Sequence, residues 1–253
     1  MKLPSSKIQQ IGRTFWEESL LTVTFPITTV LLEQAILLTQ PVSIVKLNGL
    51  SLLEISKYFS ERGNNKCYYP DNKELFGFIL TFNGHTYIFL NGTVSSREQC
   101  FTLAHELAHY FLDFKLPRQL LIKKYGDSLI DALNNKRTFT NEERISAVIH
   151  GYSLNEFSYI LDTPALSSFD RLKVWNAENK ADELAIELLA PFNTILQNIH
   201  INNIPKKYSI LEKLLPDILQ SKYGFSGHVA ELYGKSLAYK ISGGTSLAEK
   251  WGI

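Results

Sequence analysis

The sequence predicts an α+β fold, mostly helical, with a small β-hairpin packed on one helix. Two observations carry this. Apolar residues recur at helical spacing along most of the chain. The exception is "FGFILTFNGHTYIFLN", 76 to 91, where two β-rich runs flank Asn83-Gly84, a strong hairpin signal. One hairpin among many helices makes the class α+β.

Taken in order, residues 6 to 40 read as mostly helical, with an interruption at Pro26. "LSLLEISKYFSERG", 50 to 63, has helical apolar spacing and a closing glycine. After the hairpin, Ser95 with Glu98 three residues on is a capping box that opens the next helix. That helix carries "CFTLAHELAHYFLDF", 100 to 114, and is expected to stop before Pro117. From 115 to about 174 helical and irregular stretches alternate. "NAENKADELAIELLAP", 176 to 191, is a strong helix ended by Pro191. The remainder reads as helical and rich in lysine.

Composition is that of an ordinary soluble globular chain: 253 residues, 45% hydrophobic, 20% charged. A formal net charge of +1 gives no global basic field for nucleic acid. The two cysteines, Cys67 and Cys100, form no CxxC, which suits a reducing compartment rather than a disulfide scaffold. The start lacks a basic stretch followed by an apolar run, so no signal peptide is expected. Residues 19 to 38 are apolar but contain Pro26, threonines and Glu33, so a buried element is expected there rather than a membrane span. A cytoplasmic location is the expectation.

Within the apolar stretch at 100 to 114 stand His105, Glu106 and His109. Two histidines four apart lie about 6 Å along a helix axis on one face, so their imidazoles can share one metal ion. Glu106 points about 100° around the helix, where a carboxylate can take a proton from water attacking a carbonyl. A chance HExxH in a chain of this composition has odds of roughly 1%. Burying each of the three polar groups without a partner costs on the order of 1 to 3 kcal/mol, and a metal satisfies both histidines at once.

A third ligand is needed, with a fourth position left for water. Asp113 is too far along the same helix, His150 has no supporting pattern, and Glu142 and Glu143 read as a solvated helix start. Glu178 is the better choice. It precedes Asp182 by four, so Glu178 could ligate while Asp182 accepts the second ring N–H of a histidine.

"FTLAHELAH" followed by "ENKADELAIELLAP" resembles the ImmA/IrrE family of zinc metallopeptidases. The family's pattern runs R-F-T-L-A-H-E-L-G-H and then E-x-x-A-N/D-x-F-A-x-x-L-L-M-P. The resemblance covers roughly 42 to 114 and 176 to 240. It implies a zincin-like core with a thermolysin-like site: one zinc held by His105, His109 and Glu178, Glu106 as general base, and Asp182 orienting a histidine. The chain is expected to divide into a helical segment at 1–41, a core at 42–200 with a helical insertion at about 115–174, and a helical region at 201–253. Characterised members cut helix-turn-helix repressors of mobile elements or stress responses, so a repressor is the expected protein partner.

Departures are Ala108 for glycine, Cys100 for an arginine, Leu184 for phenylalanine and Ala190 for methionine, all outside the chemistry. The 68 residues between His109 and Glu178 exceed the family's usual few tens. The extra segment could be a lid, a docking module, a plug or an extension of the core. A transition-state electrophile could come from Tyr110, His150, His200 or His228. Residues 223 to 240 resemble the family's terminal segment, which has a helix-turn-helix look. Seven lysines against four acids in 206 to 253 are a weak excess, and direct nucleic-acid binding is not expected. The leading alternative to a peptidase is a regulator that keeps zinc and sequesters its partner without cutting.

Overall fold

Leu103, Leu107, Leu184, Leu188, Ile79 and Ile88, all fully buried, centre the main core between a small sheet and two long helices. The computed structural model describes residues 3–63, 71–82, 85–134, 136–149, 168–199 and 206–244. The turn at Asn83-Gly84, together with Cys67, His150 and His200, lies outside them.

Helix α1 (Ser6–Ser19) is capped by Ser5, and α2 (Thr29–Thr39) by Thr28, each hydroxyl accepting a first-turn N–H. The break between them contains Pro26, as the sequence predicts. No described helix is long and apolar enough to cross a membrane.

Strands β1 (Val42–Leu47), β2 (Gly77–Phe82) and β3 (His85–Asn91) form a mixed sheet in the order β1-β3-β2. β2 and β3 pair antiparallel from Gly77↔Leu90 to Phe82↔His85, the expected hairpin. β1 runs parallel to β3, a third strand that the sequence reading did not single out. Alternation along the strands divides two layers. Phe78, Leu80 and Phe89 face α3 (Leu52–Ser60), packing with Leu50, Ile55 and Phe59. Ile79, Ile88 and Leu90 face the main core.

Helix α4 (Ser96–His109) opens with the expected capping box, the Ser95 side chain accepting from Glu98 N–H and the Glu98 carboxylate from Ser95 N–H. Its end differs from expectation. The chain does not leave the helix before Pro117 but widens into a π-helical turn, Tyr110–Lys115, and continues as α5 (Leu116–Tyr125). Pro117 sits in the first turn of α5, directly after the π-helical turn, where the hydrogen-bond pattern changes register: the Leu116 N–H still bonds the Phe111 carbonyl.

Two short helices, α6 (Ile130–Leu133) and α7 (Asn141–Ile149), pack with α5 around a separate small core of Leu121, Leu129, Ala132, Leu133 and Ala147. Arg137 holds this unit together, donating to both Glu143 oxygens at 2.8 and 2.9 Å. Helix α8 (Ser168–Leu189) starts eight residues before the predicted 176 and ends ahead of Pro191 as expected. It packs along α4. Ala104 and Ala108 on one helix and Ala181 and Ala185 on the other are all fully buried, and such small side chains allow close approach.

After the short α9 (Phe192–Asn198), α10 (Tyr208–Tyr223) and α11 (Gly227–Ser242) form a helical hairpin turned by Gly224, at φ +73°. Tyr233, Leu237 and Ala238 of α11 are buried in the main core.

Candidate metal centre

The two histidines belong to the last turn and a half of α4, where the helix passes between the sheet and α8. On α8, Glu178 and Asp182 lie four apart on the face turned to them. Helix packing therefore brings residues more than sixty positions apart in the chain onto one site.

The geometry is specific. His105 Nε2 and His109 Nε2 are 3.1 Å apart. Glu178 Oε2 is 3.0 Å from the first and 3.9 Å from the second. On the outer side of each ring a carboxylate takes the other nitrogen: His105 Nδ1 donates to Asp182 at 3.0 Å, and His109 Nδ1 to Asp113 at 2.7 Å. A carboxylate can only accept, so each Nδ1 carries a proton, which leaves each Nε2 free to offer its lone pair inward to a metal ion when one is bound. Two imidazole nitrogens and an anionic oxygen so close need a cation among them, a proton on a histidine in the protein alone or a shared metal ion. Tetrahedral bonds of about 2.0 to 2.1 Å set ligand atoms about 3.3 Å apart, close to this spacing. His105, His109 and Glu178 thus fit a metal ion by donor chemistry and by distance. A borderline-soft divalent ion such as zinc suits two imidazoles and a carboxylate.

Electrostatics agree. Burial disfavours a charged His105, yet its hydrogen bonds to Asp182 and Glu178 outweigh that and raise it to about 10 in the protein alone. His109 is likewise raised against burial, chiefly through Asp113. The surroundings are built to hold positive charge at this point. Glu106 goes the other way from an ordinary carboxylate: burial raises its pKa, with the two histidines opposing. A carboxyl lifted in this way is a better proton acceptor than one in water.

These groups line a cavity of 420 Å³, with apolar surface from Phe76 and Phe101. Gly77 closes it from β2. A Cβ there would fall 2.4 Å from Thr102 Cγ2 and 2.9 Å from Glu106 Oε1, so only glycine allows strand and helix this close.

Three features escaped the sequence reading. Asp113 was weighed there only as a ligand. Its i+4 spacing from His109 was the signal for its actual place, as the partner of the outer nitrogen. Gly77 and Ser226, which also lines the cavity, had no local signal. Of the suggested electrophiles, Tyr110 is buried and His228 is exposed, and neither lines the cavity; His150 and His200 lie outside the described residues. No described residue of 115–149 lines it either.

An HExxH helix packed against a small mixed sheet, with a carboxylate supplied by a later helix, defines the metallopeptidase-like class of zincin folds. Residues 68–149 match the Peptidase_M78 family model, described as the IrrE N-terminal-like domain, which supports the resemblance to the ImmA/IrrE family read from the motifs. The matched stretch includes His105, Glu106 and His109 and ends before Glu178, whose place rests on geometry. No curated protein and no solved structure matches the chain.

Proposed function

We propose that the chain is a zinc-dependent endopeptidase that hydrolyses a peptide bond in a regulatory protein, a helix-turn-helix transcriptional repressor being the expected substrate. One observation carries this reading: two imidazole nitrogens and a carboxylate oxygen converge beside a buried glutamate in an accessible cavity. A purely structural zinc site would be closed by a fourth protein ligand.

His105, His109 and Glu178 would hold the zinc. Bound there, zinc would polarise a peptide carbonyl and acidify a water molecule. The chain's own groups do the rest. Asp113 and Asp182 fix the histidine tautomers and ring orientations. Glu106 takes the proton of the attacking water and returns it to the departing amine. The outer edge of β2 pairs with no strand among the described residues, and Phe76, Gly77 and Phe78 line the cavity. An extended substrate could add to that edge, its backbone hydrogen-bonded to β2 and a side chain against Phe76 and Phe101. The repressor as substrate is supported by the family resemblance alone.

The test is cleavage of purified helix-turn-helix repressors encoded near this gene by zinc-loaded protein, wild type beside Glu106→Gln. The amide cannot accept the proton, so cleavage should fall by about 10² to 10⁴-fold while zinc stays bound. Equal cleavage by the variant would remove Glu106 from the mechanism. Equal binding of repressor by both forms, with no cutting by either, would favour the sequestering regulator.

A further inference from the structure

A second cavity, of 610 Å³, lies where α1 meets the end of α8 and the start of α9. It is on the other side of α8 from the metal centre: Glu187 is nine residues past Glu178, half a revolution around the helix. Trp16 and Phe25 contribute aromatic surface to its lining and Glu187 a carboxyl group.

Glu187 is only 4% exposed. Its Oε2 accepts the Phe192 N–H at 3.0 Å across the α8–α9 corner, and it has no other hydrogen-bond donor among the described residues. That corner bond needs only a neutral oxygen, so it does not explain a charge. Arg13 and Glu17 also line the cavity, both exposed and paired with each other at 3.8 Å, so Glu187 is the buried acid of the lining that pairs with no cation among the described residues. The chain also makes room for it: a Cβ on Gly12 of α1 would sit 3.0 Å from Glu187 Cγ. Burial raises the Glu187 carboxyl to about 7, with the Phe192 N–H opposing, as expected for a buried acid without a cation.

We propose that this cavity binds a small organic cation, an ammonium or amidinium whose charged head meets Glu187 and whose apolar body lies against Trp16 and Phe25. A desolvated carboxylate gains most from a charged donor, and the indole and phenyl rings suit an apolar or cationic body. The site is independent of the peptidase reading, because none of its residues belongs to the metal centre.

Calorimetric titration of the full-length, zinc-loaded chain with phenethylammonium at about pH 8, above the Glu187 pKa, tests this. Saturable binding of one cation per chain is expected. Its neutral twin, 2-phenylethanol, should bind about tenfold more weakly or worse, as should the cation to Glu187→Gln, which keeps an oxygen for Phe192 N–H. Asn193→Arg carries the test if Glu187→Gln fails to fold. Asn193 is an exposed lining residue, and an arginine there should compete with the ligand and weaken it about threefold or more. Absence of saturable binding, equal binding of the alcohol, or unchanged binding in the folded variants would overturn the proposal. So would binding lost in Glu178→Ala but kept in Glu187→Gln, which would put the cation in the metal centre.

Discussion

Each histidine of the centre has its outer nitrogen engaged, His105 by Asp182 and His109 by Asp113. Such partners fix which nitrogen offers a lone pair, so their loss would be felt by a bound metal before the fold. Asp113→Ala and Asp182→Ala should each weaken zinc affinity about 10 to 100-fold in chelator competition, with the helical spectrum unchanged. Affinities equal to wild type would mean that the ring orientations are set by packing alone. Gly77 acts on the other side of the site. A methyl group there must displace Thr102 or Glu106, so Gly77→Ala should lower kcat by about tenfold or more while leaving zinc content intact. Undiminished turnover would show that the strand gives way at no cost. At this scale legibility was uneven. His105, Glu106 and His109 were readable because one helix sets their spacing, and Glu178 with Asp182 because two acids four apart share a face. Gly77 was not, since its constraint comes from a helix that reaches it only through the fold.

Among elements, α4 departs most from local expectation. Proline rules predicted a stop before Pro117, but the chain passes through a π-helical turn and re-enters α-helix with Pro117 in its first turn. The wider turn begins directly after His109 and carries Asp113 at its fourth position, within reach of His109 Nδ1. Lys115, at the end of this turn, donates to Gln40 Oε1 just past α2 at 3.0 Å, which ties the turn to the rest of the fold. Residue spacing shows where a helix can begin; it does not show a widened turn, which depends on tertiary partners. In the C-terminal hairpin, Gly234 of α11 faces Pro216 of α10, and a Cβ would lie 2.9 Å from the proline ring. Helix propensity alone would favour alanine by about 1 kcal/mol, whereas overpacking against a rigid ring costs about 1 to 3 kcal/mol. The clash should win: Gly234→Ala is expected to lower stability in urea by about 1 kcal/mol. A stabilised variant would show that the two helices separate easily.

For the whole molecule, the sequence reading found the class, the hairpin and the main helices, because each rests on local periodicity or turn chemistry. It missed β1, a short strand whose place depends on pairing with β3. It left the role of 115–174 open. In the structure the described part, 115–149 apart from residue 135, forms a side unit around Leu121, Leu129 and Ala147. That unit leaves α4 and α8 free to meet, and their meeting places Glu178 3.0 Å from His105 although the family match ends at residue 149. The central claim is therefore that these two helices together make one metal site. Elemental analysis of purified protein, wild type beside Glu178→Ala, tests it most directly. The prediction is about one zinc per wild-type chain, lost or greatly weakened in a variant that remains folded. A wild type that holds no zinc even after supplementation, or a variant that holds it equally well, would contradict the site.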